Sequence, residues 1–121
     1  MIFETDRLIV RPPVFQDASD IFRNYAQDAE VTKYLTWKPH TEYAQTEEWV
    51  RFCIKTANDE SGLKFVVHHK TDAETIGMID FRFDGFQTDF GYVLARRYWN
   101  QGLMTEAMLP LIRHVYSLPN I

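Results

Sequence analysis

The densest run of chemistry-bearing residues lies between Gly91 and Met108, GYVLARRYWNQGLMTEAM, where a β-like run passes two arginines and a glycine into an amphipathic helix. The first turn of a helix leaves several backbone N–H groups without intrahelical partners and carries the positive end of the helix dipole. With Gly102 allowing a ligand close to the backbone, that geometry suits a phosphate or pyrophosphate. The same spacing fits an ordinary strand-to-helix connection, and residue chemistry alone leaves both readings open. Arg96 and Arg97 are candidate phosphate partners or simply solvated loop cations. Neither GxxxxGK[ST] nor GxGxxG occurs, so a P-loop nucleotidase and a dinucleotide-binding fold lack support.

Other reactive residue types read as structure first. His68 and His69 are neighbours on a strand-like run, so they face opposite ways and chelate one metal poorly; no metal site is expected. Cys53 falls in an apolar helix stripe, where a small buried hydrophobe is the default over a nucleophile.

The elements that must position these residues follow the order β-α-α-β-β-β-α, with one further short helix between the first two helices. Arg7 to Arg11 is a short strand stopped by Pro12 and Pro13. From Asp17, read as an N-cap with Asp20 three residues on, Ala18, Ile21, Phe22, Tyr25 and Ala26 recur at helical spacing. A second short helix spans Asp28 to Leu35. A longer one begins near Thr41 with Trp49, Val50, Cys53, Ile54 and Ala57 on one stripe, and Gly62 ends that region. Leu63 to Lys70 and Thr75 to Phe83 form a hairpin across TDAE, and Asp89 to Ala95 is a third strand of that group. The last helix, from about Gly102, buries Met104, Met108, Leu111, Ile112 and Val115. Pro110 inside it predicts a kink near Glu106.

Composition narrows the class. The chain has 121 residues, 45% hydrophobic and 25% charged, enough for one globular domain with a real core. A formal net charge of -4 argues against a phosphate-tracking nucleic-acid binder. One cysteine cannot form an internal disulfide, no apolar run approaches a membrane span, and the start MIFETDRLIVRPP lacks an apolar leader. A cytoplasmic protein without membrane attachment is expected.

RRYWNQGLMTEAM resembles the acetyl-CoA pyrophosphate loop of the GNAT superfamily of N-acetyltransferases. It is most similar to the branch containing ribosomal-protein N-terminal acetyltransferases, in which a Tyr-Trp pair, a glycine-containing loop and Thr-Glu-Ala open the central helix. ETDRLIVRPPVFQDASDIFRNY resembles that branch's first strand and helix, and TIGMIDFRFDGFQTDFGYVL its third and fourth strands.

The resemblance implies an α+β (α/β sandwich) fold, with a mixed, mostly antiparallel sheet flanked by helices. It implies transfer of an acetyl group from acetyl-CoA to a primary amine, on a protein N-terminus or a small molecule, by direct attack. A backbone N–H of the family's fourth strand would hold the oxyanion. Backbone groups of Val93 and Leu94 would pair with the pantetheine arm, and Asn100, Gln101, Gly102, Leu103, Met104 and Thr105 would wrap the pyrophosphate. Trp99 and Met104 depart from the superfamily's general loop at its first and last positions. Asp89 is the candidate general base, by its match to an acidic position of the branch, with Asp80 competing. Trp37 and Tyr34 fall where the family shapes its acceptor pocket.

The family pattern continues through a fifth strand, another helix and two more strands, so the sequence reads as a C-terminally truncated domain. The uncovered edge of the fourth strand is then an expected self-association surface and a route to a homo-oligomer. A second class of function follows: a non-catalytic acyl-CoA-binding or self-associating module.

Overall fold

The computed structural model describes residues 1–33, 35–85 and 87–119. Its framework is one antiparallel sheet of six strands, β1 Phe3–Glu4, β2 Leu8–Arg11, β3 Asn58–Asp59, β4 Gly62–His69, β5 Glu74–Asp84 and β6 Gln87–Leu94. The spatial order is β1-β2-β4-β5-β6, with β3 paired to β4. The expected α/β sandwich is present. β1 and β3 are additions, each two residues long, too short for alternation to mark them.

Gly62 opens β4 instead of closing the preceding region. A Cβ at this position would lie 1.8 Å from the Phe81 carbonyl oxygen across the ladder, so only glycine fits. Val67 and His68 straddle an irregularity in the β4–β5 register, which interrupts simple alternation at the histidine pair.

The helices lie on both faces. α1 Asp17–Ile21 runs directly into a π-helical turn, Phe22–Ala26, and buries Ala18, Ile21, Tyr25 and Ala26. Asp17 does not cap this helix. Its buried carboxylate takes a fork from Arg11 of β2 at 2.8 and 2.9 Å, the Val14 N–H at 2.8 Å and the Thr75 hydroxyl at 2.7 Å. Burial alone would raise its pKa, but these donors win and hold the carboxyl below the usual range. Asp20 likewise serves β5, accepting the Thr75 N–H at 2.9 Å.

α2 is confined to Ala29–Thr32, shorter than the expected span, with Asp28 as its N-cap. α3 Tyr43–Lys55 starts where the Gln45 side chain accepts the Thr41 and Glu42 N–H groups at 2.7 and 3.0 Å. Its inner face is Thr46, Val50 and Cys53, whereas Ile54, expected on that stripe, is exposed. α4 Leu103–Val115 buries Leu103, Ala107, Met108, Leu111 and Val115, with Met104 and Ile112 only half-buried. It runs unbroken through Pro110.

Cys53 of α3 meets Met78 of β5 at 3.8 Å, and Met78 pairs with Val66. His114 of α4 packs on Phe3, which packs edge-on against Phe65. Since Phe65 and Val66 are consecutive on β4, α3 and α4 cover opposite faces of the sheet. Among the described residues, no strand lies beyond β6 and no helix is long and apolar enough to cross a membrane.

Candidate active site

A cleft of about 840 Å³ wraps the outer side of β6, with one wall from the β6–α4 connection and the other from the segment around α2. The first wall is built by a 3-10 turn, Arg96–Tyr98, followed by a loop that reverses through two left-handed residues, Asn100 (φ 62°) and Gly102 (φ 74°). Gly102 is the N-cap of α4 and offers no side-chain acceptor, so the first N–H groups of that helix are left to whatever occupies the cleft. The Trp99 indole N–H donates to the Leu94 carbonyl at 2.7 Å, closing the turn on itself.

The loop is braced from the turn between β1 and β2. Arg7 donates from Nε to Glu106 at 2.8 Å and from its backbone N–H at 3.0 Å, while its Nη1 holds the Gln101 carbonyl at 3.1 Å. The Thr5 hydroxyl donates to the same carboxylate. Burial pushes Glu106 up, yet these donors outweigh it and keep the carboxyl ionised below its usual range. The Glu of Thr-Glu-Ala is therefore a strut for the loop.

Of the residues expected to meet the donor, Val93, Leu94, Asn100, Gly102, Leu103, Met104 and Thr105 line the cleft. Gln101 does not. Its carbonyl is taken by Arg7, and its amide donates to the Arg97 carbonyl at 3.1 Å on the far side of the loop. The Leu94 carbonyl is occupied by Trp99, and Val93 stands opposite Met78 in the ladder with its carbonyl turned toward β5, so of these two residues only the Leu94 N–H is left facing away from the sheet. The two loop arginines are engaged as well, Arg96 with Asp28 and Arg97 with Glu74.

On the sheet floor, Lys64, Asp80 and Gly91 form one cross-strand row. A Cβ on Gly91 would come within 3.1 Å of Asp80 Oδ1 and 3.2 Å of Arg82 Nη1, so the missing side chain makes room for this pair beside the edge strand. Arg82 donates to Asp80 at 2.6 Å and to Asp89 at 3.0 Å. Asp80 and Arg82 line the cleft, and Asp89 does not. The Asp89 side chain is 73% exposed, and Arg82 with the Phe90 N–H holds its carboxyl below the ordinary value. A carboxylate stabilised in its ionised form is a weaker proton acceptor.

The second wall is aromatic. Trp37 stacks on His40 at 4.7 Å and tilts against Trp49 at 5.8 Å. His40 Nδ1 lies 2.7 Å from the hydroxyl of fully buried Thr46, and burial lowers the pKa of the ring. Tyr34 lies outside the described residues. Burial pushes the Cys53 thiol up to about 12, which suits packing and not nucleophilic attack. His69 accepts the Asp72 N–H at 3.1 Å in the hairpin turn.

Sequence reasoning missed Arg7, Glu106, Arg82 and the Arg96–Asp28 pair. Each depends on partners distant in sequence or on which face of a strand meets a cleft. Local sequence offers only the charge of each residue as a signal.

The family model for the Acetyltransferase (GNAT) domain matches residues 7–121. The Uncharacterized N-acetyltransferase p20 of Bacillus licheniformis is 28% identical over 120 residues, covering 97% of this chain and 67% of its own length. A GNAT-family acetyltransferase structure from Bacillus anthracis superposes with a TM-score of 0.81 at 23% identity, over 97% of this chain and 67% of that one. The microcin C7 self-immunity acetyltransferase MccE, solved with acetyl-CoA and AMP, gives a TM-score of 0.80 at 18% identity, over 93% of this chain and 64% of that one. At such identities the structural likeness speaks for the fold, and the family match covers the loop, the sheet floor and the helix behind them. The chain belongs to the GNAT superfamily of acetyltransferases.

Proposed function

We propose that the cleft binds acetyl-CoA and that this one domain transfers its acetyl group to a primary amine, carried by a protein N-terminus or a small molecule. The observation carrying this reading is the side-chain-free left-handed cap at Gly102, which turns the start of α4 into the cleft. A thirteen-residue helix presenting uncapped N–H groups there fits a pyrophosphate. MccE, of the same fold, was solved with acetyl-CoA.

Acetyl-CoA supplies the acetyl group as a thioester. The N–H groups of Leu103, Met104 and Thr105, with the Asn100–Gly102 turn, hold the pyrophosphate. The Leu94 N–H, on the side of β6 away from β5, aligns the pantetheine arm, and a β6 N–H stabilises the developing oxyanion. Asp80 is our candidate for the group receiving the proton of the acceptor ammonium, ahead of Asp89, because it lines the cleft.

Calorimetric titration with acetyl-CoA beside ATP tests the reading. Saturable binding of acetyl-CoA in preference to ATP is expected, weakened about fivefold or more in Gly102→Ala, since a left-handed non-glycine residue costs roughly 1–2 kcal/mol. A folded chain that ignores acetyl-CoA would remove the enzyme reading.

The free side of β6 favours a second reading, self-association through that edge. Phe90 and Tyr92 on it are 47% and 55% exposed. Sedimentation velocity should show a concentration-dependent dimer that Tyr92→Lys abolishes, and a monomer at every concentration would discard it.

A further inference from the structure

Asp28 serves both walls of the cleft with one carboxylate. As N-cap of α2, its Oδ1 accepts the Glu30 N–H at 3.0 Å. The same carboxylate receives the Arg96 guanidinium as a fork, with Nε on Oδ2 at 3.1 Å and Nη2 on Oδ1. Arg96 is the first residue of the 3-10 turn that carries the chain into the phosphate-side loop. α2 has four residues, far below the length at which a helix is stable unaided, so its geometry depends on its cap and its packing. Beyond it, the chain leads to Trp37, which faces the cleft with Trp49.

We infer that the Arg96–Asp28 pair is a coupling bracket, through which occupation of the loop by a CoA-type diphosphate resets the α2–Trp37 wall where the acceptor binds. The inference rests on the donor-site reading above. Loop residues that close on a diphosphate displace the turn beginning at Arg96. The fork transmits this to the carboxylate, and the carboxylate caps the helix of the opposite wall. Linkage makes the effect reciprocal, so an occupied acceptor wall tightens the donor loop by the same factor. Arg96 and Asp28 are positioning residues here, because neither has to touch a reacting atom.

The three tryptophans report the parts separately. Trp99 stands in the donor loop, and Trp37 and Trp49 stand on the opposite wall. Protein carrying 5-fluorotryptophan, with resonances assigned through single Trp→Phe variants, would be titrated with CoA and followed by fluorine NMR. In the unaltered chain the Trp99 and Trp37 resonances should shift with one saturation curve. Asp28→Asn keeps a good N-cap but loses the charge that holds Arg96, and Arg96→Gln removes the fork from the other side. In both variants, checked by circular dichroism for retained fold, Trp99 should still respond while the Trp37 shift is lost. A Trp37 signal unmoved in the unaltered chain, or equally mobile in both variants, would overturn the coupling and leave the donor site standing. No saturable response at Trp99 would overturn the donor-site reading and this inference with it.

Discussion

Asp80 and Asp89 share the Arg82 guanidinium from different positions, one inside the cleft and one in solvent. Their substitution should therefore separate. With any amine that supports turnover, Asp80→Asn is expected to lower kcat about a hundredfold, the usual scale for losing a positioned proton acceptor. Asp89→Asn should stay within about fivefold, since it breaks only an exposed ion pair. Steady-state rates for the two variants decide the matter, and a reversed order would return the base to Asp89. Cys53 gives a simpler test. Because burial raises its pKa to about 12, the thiol is protonated at ordinary pH, and labelling by a disulfide reagent at pH 8 should be no faster than unfolding.

At the scale of elements, two residues act in opposite directions on stability. Gly62→Ala drives a Cβ against the Phe81 carbonyl and should cost about 3 kcal/mol, the upper range for overpacking. Pro110→Ala restores a backbone donor inside α4 and should gain up to about 3 kcal/mol. Urea titrations of both variants check the signs. These cases also mark what was legible in advance. β4 and β5 announced themselves because β-branched and aromatic residues are dense along them, and the last helix because helical spacing persists over its length. β1, β3 and the π-helical turn did not, since two residues carry no period and α and π turns share one apolar pattern. The assignment of Asn100 to Thr105 rests on the family resemblance, since a glycine before a helix fits an ordinary strand-to-helix connection equally well. Asp17 misled, because an acid at a helix start looks the same whether it caps that helix or pairs with Arg11 on a neighbouring strand. Arg82 and Glu106 were silent, as their roles exist only once β5 meets β6 and α4 meets β2.

For the molecule as a whole, the buried Arg11–Asp17–Thr75 junction ties β2, α1 and β5 together, and it carries a pH signature. The folded pKa of Asp17 lies below its unfolded value of about 4. Its contribution is thus complete above that value and is lost as pH falls through the lower folded one. Asp17→Asn should cost about 3 kcal/mol at pH 7, and the gap between the two proteins should narrow progressively below about pH 4. Parallel denaturation curves at pH 7 and pH 2.5 measure it, and a constant gap would contradict the assignment. The brace from Arg7 to Glu106 has a different consequence, in time. Its two ends are 99 residues apart, so a growing chain can pair β2, β4, β5 and β6 before Glu106 leaves the ribosome. Such a nascent chain would possess its sheet while its phosphate loop was still unbraced. Competence to hold the donor would then arrive only after Glu106 has emerged, later than the sheet's resistance to proteolysis.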